Sequence, residues 1–158
     1  MLRFIRTAGA CLLAVATLIG VALATGYATT EYTVGTGMVT IAGKQMKVLT
    51  DAKDMTLYYL ASDTPTQSGC SGGCSSTWPA LLSTTAPTSE DPLPGKLSLV
   101  KTANGSQVAY NGHLLYRYAA DTAVGQANGQ GMGGKWWVAS VDLKATSSGA
   151  PAKSSSGW

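Results

Sequence analysis

Imidazole, thiol and charge are all scarce in this chain. Its 158 residues hold one histidine, His113, one phenylalanine and three cysteines, and only 12% of them are charged. A single histidine leaves one imidazole for any catalytic base or metal site, and metal centres need several convergent ligands. Cys11 lies inside an apolar N-terminal run, so Cys70 and Cys74 are the pair left for a disulfide. The charge balance is equally restrictive. Eleven Lys and Arg less Arg3 and Arg6 leave nine, against eight acids that all lie beyond residue 24. General nucleic-acid binding needs a basic face, so no nucleic-acid partner is expected.

The N-terminus has the layout of an export signal. "MLRFIR" carries two arginines and no acid. The uncharged run from Ala8 to Ala24 follows, and Ala22-Leu23-Ala24 offers a small-x-small cleavage site. Residues 1–24 are therefore expected to be a signal peptide, with a mature start near Thr25 and no membrane attachment after cleavage. A retained anchor is the alternative, although the run is short for a bilayer span. A lipid on Cys11 is not expected, because the apolar stretch follows that cysteine. Residues 25–36 are expected to be a linker. Residues 144–158, rich in Ser, Gly, Ala and Pro, are expected to form a disordered tail. One domain, about 37–143, remains.

That domain spells itself twice. "LYYLASDT" runs from Leu57 to Thr64, and "LYRYAADT" runs from Leu115 to Thr122. Asp63 precedes Trp78 by the same interval that separates Asp121 from Trp136. Each copy begins with short β-prone runs broken by turn signals. The second copy reads "LSLVKT", "ANG", "SQVAY", "NG" and "HLLYRYAA", and Asn111-Gly112 suits a type I′ hairpin. The first reads "GMVTIA", a turn at Gly43-Lys44, "QMKVLT", a turn over 51–54, and "MTLYYLA". The expected fold is mainly β and antiparallel. Two pseudo-symmetric three-stranded meanders, about 37–82 and 97–142, would carry long loops and at most a short helix after the cysteines. One such sheet has an open apolar face and is marginal alone, so a second copy would cover it.

Period-two alternation sorts the faces. Tyr58 and Leu60 share one face, as do Tyr116 and Tyr118. Leu57 and Tyr59 share the other, as do Leu115 and Arg117. The Tyr58 and Tyr116 face is expected inside, with Tyr59 and Arg117 nearer water. As packing residues these tyrosines would fill the core and bond their hydroxyls at its rim. As functional residues, Tyr58, Asp63, Tyr116, Tyr118 and Asp121 are candidates for a binding site. The structural alternative for the two aspartates is that each closes the loop that follows it.

Both of those loops are long. In the first, Cys70 and Cys74 are expected to form a disulfide, the default in an exported protein. Redox exchange normally uses two intervening residues and zinc needs more ligands, yet both stay as alternatives. "SSTWPALL" then suits a short helix capped by Ser75 or Ser76, with Pro79 in its first turn. The second loop is glycine-rich, but no Lys-Ser/Thr follows its glycines, so a phosphate loop is not expected.

The combination of Leu57-Tyr58 through Asp63, Cys70 and Cys74 ahead of Trp78-Pro79, "YNGHLLYRYAAD" and a glycine-rich run into Trp136 resembles a bacterial family. That family is the "secreted repeat of unknown function", also described as predicted lipoproteins with a Tyr-x-aromatic-x-x-Asp motif. The resemblance spans about Val39 to Asp142. Tyr116, Tyr118 and Asp121 match the motif fully. In the first copy Leu60 stands where the family has an aromatic, and no lipobox is present. The resemblance implies bacterial export and a duplicated domain, and carries over no catalytic residue.

Three functions follow from these readings. The first is a non-catalytic binding or structural module, secreted or in the periplasm or envelope, with an envelope or extracellular ligand and no cofactor. The second is a metal or redox accessory protein, with His113 and Met132 as a copper-like pair. The third is a hydrolase, which needs a nucleophile, a base and an orienting group.

Overall fold

A computed structural model describes residues 32–146. The expected signal peptide, residues 25–31 of the expected linker and residues 147–158 of the expected tail lie outside the described residues. The fold is mainly β and antiparallel. Strands β1 (Val34–Ile41) and β2 (Lys44–Asp51) form a hairpin, followed by β3 (Tyr58–Leu60) and a single helical turn, α1 (Cys74–Thr77). The second copy supplies β4 (Leu97–Thr102), β5 (Gly105–Tyr110), β6 (His113–Leu114) and β7 (Trp136–Val138).

Each copy begins as a hairpin. β1 and β2 pair from Val34↔Asp51 to Ile41↔Lys44. Ala42 and Gly43 form the turn, both with positive φ, so it lies one residue earlier than the sequence suggested. β4 and β5 pair from Leu97↔Tyr110 to Thr102↔Gly105. Asn111 and Gly112 turn the chain with φ of 50° and 84°, as a type I′ turn requires. β1 takes in the last three residues of the segment expected to be linker. Its glycines look flexible in sequence but serve close packing. A Cβ on Gly35 would stand 2.9 Å from Thr50 Oγ1, and one on Gly37 3.0 Å from Thr50 Cγ2.

The third strand of each meander is where the copies meet. It touches its own hairpin only briefly, at Ala109↔Leu114 and Tyr110↔His113 in the second copy. The matching contacts in the first are the Thr50↔Thr56 bridge and the bond from Asp51 N–H to Met55 O. Each strand then leaves its hairpin and pairs with the other copy. Tyr58 pairs with Val138 on one side and with Tyr116 on the other, and Tyr116 pairs in turn with Ala80.

The hydrogen bonds obey a twofold relation. Ala61 N–H donates to Lys135 O and Ala119 N–H donates to Thr77 O, both at 2.9 Å. Ala139 N–H donates to Leu57 O as Leu81 N–H donates to Leu115 O. Tyr58 and Tyr116 exchange both backbone bonds, at 2.8 and 2.9 Å. Adding the offset between Tyr58 and Tyr116 to one member of each pair gives the other. The sequence reading had one complete sheet cover the other. Instead the copies interleave, and the third strand of each borrows its neighbours from the opposite copy.

Alternation along the shared ribbon divides the core in two. Tyr58, Leu60, Tyr116, Trp78, Trp136 and Val138 belong to one cluster, completed by hairpin residues such as Val48 and Leu114. Leu57, Leu81, Leu115 and Ala139 belong to the other, with Val34, Leu49, Val108 and Tyr110. The face with Leu57 and Tyr59 is therefore not a solvent face. Tyr59 and Arg117 are only half-buried, as expected, while Leu57 and Leu115 beside them are fully enclosed.

The turn after the cysteines departs from expectation in detail. Neither Ser75 nor Ser76 caps α1, whose N-cap position is Gly73. Ser76 Oγ donates to Gly73 O instead, at 2.8 Å. Pro79 follows the turn and offers its carbonyl to Arg117 N–H at 2.8 Å. No helix among the described residues is long and apolar enough to cross a membrane.

Candidate functional site

The shared ribbon places two tyrosines side by side on one face, and their rings decide what lies above them. Tyr58 meets Trp78 edge-on with centroids 5.4 Å apart, and Tyr116 meets Trp136 edge-on at 5.1 Å. The two tryptophans stack on each other at 3.8 Å and 2°, on the pseudo-twofold axis. Tyr118 extends this stack by lying on Trp78 at 4.3 Å. The matching position in the first copy is Leu60, paired with Trp136. Leucine there ends the stack on that side with an aliphatic contact.

Beyond the rings, the hydroxyls cross between copies. Tyr58 Oη donates to Asp121 Oδ2 at 2.5 Å, and Tyr116 Oη donates to Asp63 Oδ2 at 2.6 Å. Each aspartate also holds its own loop, because Gly69 N–H donates to Asp63 Oδ1 and Asn128 N–H to Asp121 Oδ1. Ser68 Oγ lies 2.7 Å from Tyr116 Oη, and Asn104 Nδ2 donates to that serine oxygen. Gly129 N–H donates to Tyr58 Oη.

These contacts fix the protons. Burial, reinforced by the bond to Asp121, pushes the Tyr58 phenol far above its ordinary value. Burial and the bond to Asp63 do the same for Tyr116. Burial raises the Asp63 carboxyl against the lowering effect of its two donors. At neutral pH both phenols are neutral donors, so neither acts as a nucleophile or base.

The structure thus brings together Tyr58, Asp121, Tyr116, Asp63 and Tyr118, all candidates from the sequence. It joins Tyr58 to Asp121 and Tyr116 to Asp63 by hydrogen bonds, while Tyr118 joins through its ring contacts with Trp78 and Tyr58. Cys70 and Cys74 form a disulfide. His113 is elsewhere, with Nε2 3.0 Å from Lys144 O and its ring against Tyr59. Met132 sits half exposed in a 3-10 turn, Met132–Gly134. Among the described residues no group of three or more His, Cys, Asp or Glu could hold a metal ion. Gly69-Cys70-Ser71-Gly72-Gly73 spells the Gly-x-Ser-x-Gly pattern that a serine hydrolase uses. Here Ser71 is exposed in the disulfide loop rather than at a strand-to-helix elbow.

Two features escaped the sequence reading. Gly129 approaches the aromatic cluster so closely that a Cβ would stand 2.6 Å from Trp78 and 2.9 Å from Tyr58. Arg117 donates through Nε to the buried Asp51 carboxylate, which also accepts Lys53 N–H and Met55 N–H. Arg117 stands between two open clefts, of about 570 and 290 Å³. Asp51 and Arg117 are too far apart in the chain for any local pattern to pair them.

A family model described as a secreted repeat of unknown function matches residues 33–82 and 98–140, one stretch for each copy. The chain matches no curated protein and no solved structure.

Proposed function

From the premise that the chain belongs to the family of secreted repeats of unknown function, we propose that it is a non-catalytic binding module of the bacterial envelope or its surroundings. The observation that carries this reading is the crossed pair of Tyr–Asp bonds at 2.5 and 2.6 Å. The motif that marks each copy is spent on joining the copies. It builds a frame, and the surface clefts of that frame are left for a ligand. The family description as secreted supports export, and the N-terminal pattern supports a signal peptide cleaved near Thr25.

Envelope retention tests the reading. The fluorescently labelled mature chain is added to purified envelopes of the producing bacterium, beside heat-unfolded chain. Saturable retention of the folded form alone supports a binding module. Retention equal to that of unfolded chain, or none, overturns it.

A further inference from the structure

The two copies keep the same frame and differ beside it. Tyr59 of the first copy corresponds to Arg117 of the second, and Tyr110 of the second corresponds to Asp51 of the first. On one side of the molecule Tyr59 and Tyr110 pack into the same apolar cluster, and Tyr110 Oη donates to Val141 O at 2.7 Å. That side keeps only a smaller cleft, of about 240 Å³, beside Val141, Asp142 and Leu143. On the other side an ion pair replaces the two rings, and the space beside it is open.

This open space is the cleft of about 570 Å³ lined by Tyr32, Ser83, Thr84, Thr85, Ser106 and Arg117, among others. Its volume is within the range of small-ligand sites. Among the described residues Arg117 is the single charged residue lining it, with Lys101 at the rim, where its Nζ donates to Ser106 Oγ at 2.7 Å, and Glu90 beside Tyr32. Asp51 takes only the Nε–H of Arg117, whose two Nη groups donate no hydrogen bond among the described residues. The Arg117 side chain is 42% exposed, while Asp51 beneath it is 2% exposed. The buried carboxylate therefore fixes the guanidinium plane and leaves its outer edge free. Such an edge matches a carboxylate through two parallel N–H bonds. The hydroxyls of Thr84 and Thr85 are exposed and make no side-chain hydrogen bond among the described residues. Leu82, half exposed, and Tyr32 add apolar surface to the same wall.

One cation, several hydroxyls and an apolar wall form the complement of a carboxylate on a polyol ring. Resting on the binding reading above, we propose that this cleft holds an acidic saccharide. Its carboxylate lies on the Nη edge of Arg117 and its ring hydroxyls lie on the free hydroxyls of Thr84 and Thr85, beside Ser83 Oγ, which donates to Thr85 O, and Ser106 Oγ, which accepts from Lys101 and keeps its own proton to donate.

Amide chemical-shift titration of the full mature chain tests the site, with sodium glucuronate as probe and glucose and acetate as partial probes. Glucuronate is expected to shift the amides of residues 83–85 and 106 and the Arg117 Nε–H saturably. Glucose, without the carboxylate, is expected to bind at least about tenfold more weakly, since one charge-assisted bond is worth about that factor, and acetate, without the ring hydroxyls, loses several neutral bonds worth about fivefold each. Arg117→Gln combined with Asp51→Asn removes the cation without stranding a buried carboxylate, and is expected to lose at least about tenfold in affinity. Thr84→Val with Thr85→Val, on the exposed wall, is expected to weaken glucuronate while leaving acetate unchanged. Absence of shifts at these groups, equal binding of glucose or acetate, or unchanged binding by the Arg117→Gln, Asp51→Asn chain overturns the proposal. Saturable shifts elsewhere on the domain overturn this cleft and leave the binding reading standing, whereas loss of envelope retention overturns that reading whatever the titration shows.

Discussion

Tyr58→Phe removes one oxygen from the centre of the molecule and keeps everything else. The ring retains its edge contact with Trp78. Two partners lose their bond: Asp121 Oδ2, which accepted from Tyr58, and Gly129 N–H, which donated to it. Asp121 is buried, at 7% exposure, and only its edge reaches the cleft of about 290 Å³, so water replaces the lost donor poorly. A hydrogen bond to a charged group contributes about 1.5–3 kcal/mol, and a stranded buried amide adds to the loss. The expected cost is about 3 kcal/mol. Tyr116→Phe is the internal control. Its partner Asp63 is half-exposed and is partly solvated once the hydroxyl is gone. Ser68, its other neighbour, keeps Asn104. That substitution is expected to cost about 2 kcal/mol or less. Urea denaturation at pH 7 reads both values. With a slope of about 1–3 kcal/mol per molar urea, Tyr58→Phe lowers the midpoint by about 1–3 M at an unchanged slope. A cost below about 0.5 kcal/mol, or a Tyr116→Phe cost larger than that of Tyr58→Phe, refutes the reasoning that buried crossed bonds hold the copies together.

Alkaline pH is expected to destabilise the fold, because Tyr58 and Tyr116 are both raised above the ordinary tyrosine value of 10.0. Above that pH the unfolded chain releases phenolic protons that the folded chain retains, so stability falls by up to about 1.4 kcal/mol per pH unit for each tyrosine; urea midpoints from pH 9 to 11.5 read this slope, and the double Phe variant should flatten it. Replacing Cys70 and Cys74 by Ala is expected to cost about 2 kcal/mol, since the disulfide closes a loop with a sequence separation of 4; a chain that no longer folds would give the bridge a larger role. Gly129→Ala drives a methyl into Trp78 and Tyr58, and is expected to lower stability by about 1–3 kcal/mol through overpacking; a neutral change in thermal midpoint would contradict that contact.

The frame was legible in the sequence where chemistry is local. Alternation placed Tyr58 and Tyr116 inside, and both are fully buried. Asx-turn chemistry made Asp63 and Asp121 loop-closing residues, and each accepts a backbone N–H of its own loop. Asn111-Gly112 gave a correct hairpin. What alternation does not contain is the identity of a strand's neighbour. It fixed the face of Tyr58 but not that the partner strand belongs to the other copy, nor that the aspartate accepting its hydrogen bond is Asp121 rather than Asp63. The same limit hid the second core, because a face with Leu57 and Tyr59 looks half-polar until the hairpins close over it. Gly35 reads as linker in the sequence because glycine signals flexibility and close approach alike. Only the position of Thr50 tells them apart.

The central claim is that the two copies fold only by exchanging partners across the Tyr58–Tyr116 ribbon. Thermal unfolding of an isolated first half, residues 32–90, tests it most directly. β3 loses both neighbours in that fragment, since Val138 and Tyr116 are absent, and one face of the ribbon is left uncovered. The expected result is no cooperative transition from a monomeric fragment. A monomeric fragment that melts cooperatively would contradict the claim.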